Sequence, residues 1–445
     1  MKNVKDNIPT GKVERAMKLV GTGARIGTNY LKYYARKAVN GETSKETLHR
    51  DNAEDIYESL SELKGSALKL AQMLSMDKNL LPRAYTDKFM LSQYSAPPLS
   101  APLVMKTFKQ ATGKNPQDVF DSFDLRSVAA ASIGQVHRAS KDGKDLAVKI
   151  QYPGIADSIR SDLRLVKPVA LRMFGLSERE MAKYFEEVES KLLEETDYEL
   201  ELRRSTEISE RSAHIDGLRF ARYYPEYSAR RVLTMDWMDG LHLKQFLDTN
   251  PSQEVKNRIA QSLWDFYEFQ LHTLRAIHAD PHPGNFLFTS DGQTGVIDFG
   301  CIKEVPEDFY YHYFPLLLDE IHHHPEVTRP ILEFVEIVFG NDDDATRREL
   351  SQAFLDMTNL LARPFQVDRF HFTSEYIDQI YAKGEEIYQL PEVRKPTEPR
   401  GNRHALYVNR TYFGLYTMLA DLNAEITINR DTAWRDDLLK YWKLR

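Results

Sequence analysis

The chain has 445 residues, 42% hydrophobic and 28% charged, with a formal net charge of −7. That length allows two or three packed cores, and the single cysteine, Cys301, excludes a disulfide framework and a thiolate zinc site. No stretch approaches the roughly 18–20 uninterrupted apolar residues that span a bilayer, and MKNVKDNIPTGK lacks the apolar core of a secretory signal, so a cytoplasmic protein is expected.

Residues 1–44 form a basic amphipathic segment. Lys2, Lys5, Lys12, Arg15, Lys18, Arg25, Lys32, Arg36 and Lys37 face only Asp6 and Glu14 up to residue 41, with Val13, Met17, Leu19, Val20, Ile26, Tyr30, Leu31 and Tyr34 interleaved. Such a segment suits the inner face of an anionic membrane; a solvated helix has the same pattern. Residues 45–125 read as a helical extension, with apolar positions every three to four residues in ETLHRDNAEDIYESLSELKGSALKLAQMLSMD. Further helices are predicted at Thr86–Met90 and from Pro102 to Ala111, around a turn at SAPPLSAP.

The pattern changes near residue 126. SIGQVHRAS, KDGK and DLAVKIQYP predict strand, turn and strand, with Asp142-Gly143 as the hairpin signal. A long helix over about 177–213 follows, and RRVLTMDWMDG ends this region as a strand near residue 239. From 240 onward an apolar helix is predicted over 252–277. The loop HADPHPGNF comes next, then a hairpin turning at Asp291-Gly292, then a helical remainder rich in tyrosine and phenylalanine. Helices, a strand-rich block and a helix-rich block in that order imply an α+β fold with a sheet-containing lobe and a larger helical lobe.

Four features bear on chemistry. Asp280 and Asn285 stand five apart in HADPHPGNF; Asp298 follows in VIDFG; Lys149 lies in the strand LAVKI; and EETDYELE, 194–201, is an acidic helix. Phosphoryl transfer from a nucleotide needs these groups: carboxylate and amide oxygens for Mg²⁺, a carboxylate near the acceptor hydroxyl, and a lysine for the α/β-phosphates. Protein kinases use D-x-x-x-x-N, then D-F-G, and the lysine of a V-A-I-K strand. Asp280 to Asn285, Asp298-Phe299-Gly300 and Ala147-Val148-Lys149 fill the three templates. A transition-metal site on His278, Asp280 and His282 is the competing reading, but it leaves Asn285, Asp298 and Lys149 unused. His278 is then scaffold and His282 loop support. The glycine-rich phosphate loop is replaced by SVAAASIGQV, so Ala129, Ala130, Ala131 and Ser132 are expected to cover the nucleotide differently. Met235 and Met238, in RRVLTMDWMDG, complete the nucleotide contacts. His322-His323-His324 is read as a polar turn, and nothing points to nucleic acid.

With AAAS, AVKIQYPG, ETDYELE, HADPHPGN and DFG in one chain, the sequence resembles the UbiB/AarF family of ADCK-type atypical kinases, closely over about 55–305. The resemblance implies a bilobal protein-kinase-like fold with an N-terminal helical extension and a helix-rich C-lobe. It implies ATP or ADP with Mg²⁺ as ligands, Asn285 and Asp298 as metal ligands, and Asp280 as the catalytic-loop carboxylate. It also implies ATPase activity and a role in ubiquinone biosynthesis, with an isoprenoid lipid or membrane surface, or a second copy of the chain, as partner. The family's K-x-G-Q signature lies over the groove where a protein substrate would dock; here Lys69-Leu70-Ala71-Gln72 stands in its place, with alanine for glycine. Carried over residue by residue, Glu195 and Asp197 face Lys69 and Gln72, while Glu201 pairs with Lys149; the roles of Glu195 and Glu201 are interchangeable on sequence grounds. The alternatives are a small-molecule kinase of the aminoglycoside or choline kinase type, which shares D-x-x-x-x-N and the I-D strand end, and a nucleotide-binding regulator without catalysis.

Overall fold

A computed structural model describes residues 98–131, 133–174, 178–394, 400–428 and 432–444, with 28–29, 32–33, 48 and 50–56. Lys69, Gln72, Ser132, the Thr86–Met90 helix and most of the basic N-terminal segment lie outside these residues. The chain forms two compact units. One holds the described residues up to Thr206 together with Ala221–Met238; the other holds Glu207–Phe220 and Asp239–Arg445.

The first unit is built on a five-stranded antiparallel sheet. Helix α1 (Ala101–Thr112) precedes β1 (Ser122–Phe123), β2 (Ala129–Ala130), β3 (Gly134–Lys141) and β4 (Lys144–Gln151). Asp142 and Gly143 both have positive φ, 50° and 74°, as the tight turn between β3 and β4 demands. Helices α2 (Ile155–Phe174), α3 (Glu178–Glu195) and α4 (Tyr198–Ser212) follow. After β5 (Leu218–Phe220), β6 (Val232–Asp236) closes the order β1-β3-β4-β6, with β2 also on β3. The predicted single helix over 177–213 is therefore two helices, broken at Thr196-Asp197. Helix α2 went unpredicted because Pro168 interrupts an otherwise periodic stretch.

Strand register sorts the side chains. Val136 faces Lys149 across the β3–β4 pair, and Lys149 faces Leu233 and Ala147 faces Met235 across the β4–β6 pair. Since opposed residues share a face and adjacent residues on a strand do not, Val136, Ala147, Lys149, Gln151 and Met235 line one side. Gln135, His137, Val148 and Ile150 line the other. There the Leu99 N–H donates to Gln135 Oε1 (2.9 Å), and Phe123 stacks on His137 while packing against Phe108 of α1. The segment 98–123, assigned to the helical extension from sequence, thus belongs to the sheet unit.

The second unit packs helices around α5 (Gln253–Phe269), whose Ile259, Leu263, Trp264, Phe266 and Tyr267 are buried. The predicted helix to 277 ends sooner. A π-turn over Gln270–Leu274 and Arg275 at φ +55° stop it, and β7 (Ala276–His278) begins. The predicted hairpin is β8 (Phe286–Phe288) and β9 (Thr294–Val296), and β10 (Ile302–Glu304) pairs antiparallel with β7. Strand β5 runs parallel to β9, which moves residues 207–220 into this unit rather than the first. Helices α6 (Asp344–Ala362), α7 (Ser374–Tyr388) and α8 (Arg403–Asp421) carry much of the aromatic core: Trp264 of α5 packs on Phe365, Phe372 and Tyr416.

Candidate active site

In the first unit, Lys149 Nζ meets Glu201 Oε1 at 2.8 Å, with side-chain exposures of 5% and 3%. Several features place Glu201 there. The Asp197 carboxylate accepts from the N–H groups of Glu199 (3.1 Å) and Leu200 (3.0 Å), starting α4 in the manner of a helix cap. The Tyr198 N–H donates to the Arg230 carbonyl, and Gln151 Nε2 donates to the Thr196 carbonyl (3.0 Å), tying the helix start to the Lys149 face of the sheet. Lys149 Nζ also stands 5.1 Å above the buried Tyr198 ring. Of the two interchangeable glutamates, Glu201 therefore pairs with Lys149. Glu195 is buried, and Asp197 caps α4.

The acidic helix is not a solvated face. Glu194 takes Lys191 at 3.0 Å and Arg204 at 2.6 Å, and Glu195 and Glu201 are inside. Ala129 and Ala130 pair as a strand with Val136 and Gln135, and the Ala131 N–H donates to the Gly134 carbonyl (2.9 Å). Ala129 to Ala131 are thus pinned to β3 by main-chain hydrogen bonds. Gly134 has a steric reason: a Cβ there would lie 2.4 Å from the Ile150 carbonyl oxygen and 3.0 Å from the Tyr198 hydroxyl. Met235 is buried on the Lys149 face, and Met238 is half-buried beyond the strand end.

In the second unit, two segments are anchored at both ends. His278 opposes Ile302, and the Ala279 N–H donates to the Cys301 carbonyl; Phe286 opposes Val296, and the Ile297 N–H donates to the Asn285 carbonyl. Residues 279–285 and 297–301 therefore run side by side, bringing Asp280, Asn285 and Asp298 to one edge. Asn285 Nδ2 donates to the Asp280 carbonyl (2.9 Å), which fixes the amide's orientation and spends its nitrogen. Asp298 Oδ1 accepts from the Gly300 N–H (2.8 Å).

The histidines have other work. His282 Nδ1 accepts from the Gly284 N–H (2.9 Å), and His278, fully buried, holds the Tyr267 hydroxyl with its ring Nδ1 (3.1 Å) while its backbone N–H donates to the Gln270 side-chain oxygen (2.7 Å). Burial, opposed by the charges of Asp280 and Asp298, keeps the His278 imidazole below the usual histidine range. Burial, with the Asp280 charge beside it, pushes the Tyr267 hydroxyl well up. Among the described residues no group of three or more His, Cys, Asp or Glu side chains could hold a metal ion, so the competing transition-metal reading has no cage. The amide of Asn285 and the carboxylate of Asp298 are hard oxygen donors. Two such ligands with phosphate oxygens are the usual complement for Mg²⁺ rather than zinc, so these residues fit the expected ion. His322, His323 and His324 go separately to the Leu316 carbonyl, Asp319 and Glu326, as a polar turn does.

One residue escaped sequence reasoning. Arg410 of α8 donates from Nη2 to Asp280 Oδ1 at 2.6 Å, with side-chain exposures of 9% and 8%. Nothing local marks it: it sits on a helix of tyrosine, leucine and phenylalanine that reads as core, 130 residues from its partner.

A paired strand lysine and helix glutamate in one unit, and an aspartate–asparagine loop beside a DFG segment in the other, define a kinase-like α+β protein. The family model described as "ABC1 atypical kinase-like domain" matches residues 91–326. Atypical kinase COQ8B, mitochondrial, of Rattus norvegicus is 31% identical over 319 residues, 70% of this chain and 60% of that protein. Atypical kinase COQ8, mitochondrial, of Saccharomyces cerevisiae is 30% identical over 323 residues, 70% and 63% of the respective chains. A solved structure of Rv3197 with erythromycin, from Mycobacterium tuberculosis, superposes with a TM-score of 0.58 at 25% identity, covering 89% of this chain and 97% of that one. The chain belongs to the ABC1 family of atypical kinase-like proteins, the group that includes UbiB, AarF and COQ8. It spans about six-tenths of the length of these two curated relatives. Among the described residues no helix is long and apolar enough to cross a membrane.

Proposed function

We propose that the protein is an ATP- or ADP-binding, Mg²⁺-dependent phosphotransferase or ATPase that supports quinone or isoprenoid-lipid biosynthesis at a membrane surface. The buried Lys149–Glu201 pair is the observation that carries this reading. Two charges taken from water cost several kcal/mol each unless excellently matched, and a nucleotide's phosphates give a reason to keep an ammonium fixed there.

In this reading Lys149 offsets charge on the α/β-phosphates and Glu201 holds its amine in position. The Asn285 amide oxygen and the Asp298 carboxylate would hold the ion. When bound, Mg²⁺ would offset the charge that builds on the phosphate oxygens. Asp280 orients the acceptor hydroxyl or water and accepts its proton. Ala129, Ala130, Ala131 and Ser132 lie over the phosphates, with Met235 and Met238 beside the nucleotide. Lys69 and Gln72, engaged by Glu195 and Asp197, occlude the groove a protein substrate would enter, which favours a small or lipid acceptor. The basic segment 1–44 supplies attraction to anionic lipid.

Calorimetric titration with ADP tests the reading. Mg²⁺ should tighten binding by tenfold or more, about 1.4 kcal/mol, in wild type, and Asp298→Asn should abolish that gain. Equal affinity with and without Mg²⁺ contradicts it.

A further inference from the structure

Helix α8 lies outside the segment matched by the family model, which ends at residue 326. Three of its residues nevertheless face the catalytic-loop region. The Tyr407 ring, buried, has Lys303 Nζ of β10 at 5.5 Å; Arg410 pairs with Asp280; and Gly414 lies against Pro281. Spacings of three and four residues put all three on one helix face. A Cβ at Gly414 would fall 2.3 Å from Pro281 Cγ and 2.9 Å from its carbonyl oxygen, so only glycine permits this approach.

We infer that α8 is a positioning element of the candidate active site, with Arg410 acting through Asp280 and Gly414 setting the helix close enough for it to do so. This rests on the phosphotransfer reading for its catalytic consequence, though not for its structural one. The Asp280 carboxylate carries two demands. It must be held in one rotamer to meet an acceptor oxygen, and its charge must be tolerated at 8% exposure beside Tyr267 and the imidazole of His278. A guanidinium meets both, because its charge-assisted hydrogen bond is directional as well as strong. Asn285 reaches only the backbone carbonyl of Asp280. The loop is thus held by Asn285 through the main chain and by Arg410 through the carboxylate. Helix α8 is then a positioning part of the catalytic apparatus rather than a mere buttress.

Two readouts on the full chain separate this inference from the functional reading. Hydrogen exchange needs no turnover. In Arg410→Met and in Gly414→Ala, peptides spanning 278–286 should exchange about tenfold faster than wild type, with Arg410→Lys intermediate. Unchanged protection in both variants overturns the inference whatever the enzyme does. The second readout is Mg-ATP turnover. Arg410→Met should lower kcat by about tenfold or more while leaving KM within about threefold, and it should cost nothing further in an Asp280→Asn background, because a residue acting through another is silent once that other is gone. Additive losses contradict the inference. Loss of protection with no turnover in wild type sinks the phosphotransfer reading alone and leaves α8 as the loop's anchor.

Discussion

Lys149 of the central strand and Glu201 of α4 form an ion pair at 2.8 Å with almost no solvent access to either side chain. The two come from segments 52 residues apart, joined by two helices. The pair exists because Asp197 starts a new helix at Tyr198, which sets Glu201 one turn in, and because Gly134 leaves room for the Tyr198 hydroxyl.

Breaking that pair from one side should cost far more than removing it whole. Glu201→Leu alone leaves a buried ammonium and should lose about 3–5 kcal/mol in urea unfolding, whereas Lys149→Met/Glu201→Leu should be close to neutral. A single variant losing under ~1 kcal/mol contradicts the burial described here.

Asp197 tests the cap separately from the charge. Asp197→Ala removes the acceptor for two helix N–H groups and should cost about 0.5–2 kcal/mol, while Asp197→Asn should retain most of it. Equal losses from alanine and asparagine would point to the carboxylate charge instead.

Gly134→Ala forces a methyl against a backbone carbonyl in the central strand pair, a neighbour with nowhere to go. A loss on the order of 1–3 kcal/mol is expected. Gly113→Ala, at φ +76° but with open space around it, should cost about 1 kcal/mol from backbone strain alone. The comparison is read from urea midpoints, and a neutral Gly134→Ala contradicts the close approach.

Acid should weaken the fold before the carboxylates titrate. Burial holds the imidazole of His137 below the usual histidine range, outweighing its bond to the Asp124 carbonyl, and burial does the same to His278. The unfolded chain takes up protons near pH 6.5 while the folded chain declines them. Protonation thus favours unfolding, and stability present above that pH is lost progressively as pH falls below it. Urea midpoints between pH 7.5 and 5.5 should drop, and His137→Gln should flatten that slope irrespective of its own cost. An unchanged slope would show that His137 is protonated in the fold.

The hairpin at Asp142-Gly143 was legible because its two-residue turn needs positive φ at both positions and this pair allows it; at Asp291-Gly292, inside a longer connection between β8 and β9, only Gly292 takes positive φ. Lys149, Asp280, Asn285 and Asp298 stood out as candidates because phosphoryl transfer calls for those groups in that order; the structure adds the geometry of the Lys149–Glu201 pair and the bond from Asn285 to the Asp280 carbonyl. Other features were not legible. Strand β5 is three residues long, too short for any period, and owes its existence to parallel pairing with β9. The helix predicted to 277 stops at a π-turn that Gln270 shapes by reaching both the Phe266 carbonyl and the His278 N–H. Arg410 is the instructive omission: its partner is set by how α8 docks, and a glycine four residues later, Gly414, was the only trace of that docking in the sequence.

Membrane attraction has its own check. Co-sedimentation with vesicles containing anionic phospholipid should be strong for the full chain at low salt and fall steeply with added salt. Neutral vesicles should recruit much less. Equal recruitment by both would leave the basic segment without a role in membrane binding.

The most direct test of the central claim is phosphate release from Mg-ATP by the purified full chain, compared with Lys149→Met and Asp298→Asn. If the phosphotransfer reading holds, wild type turns over measurably and each variant loses a hundredfold or more, about 2.7 kcal/mol in the barrier. Turnover that survives either substitution would contradict it.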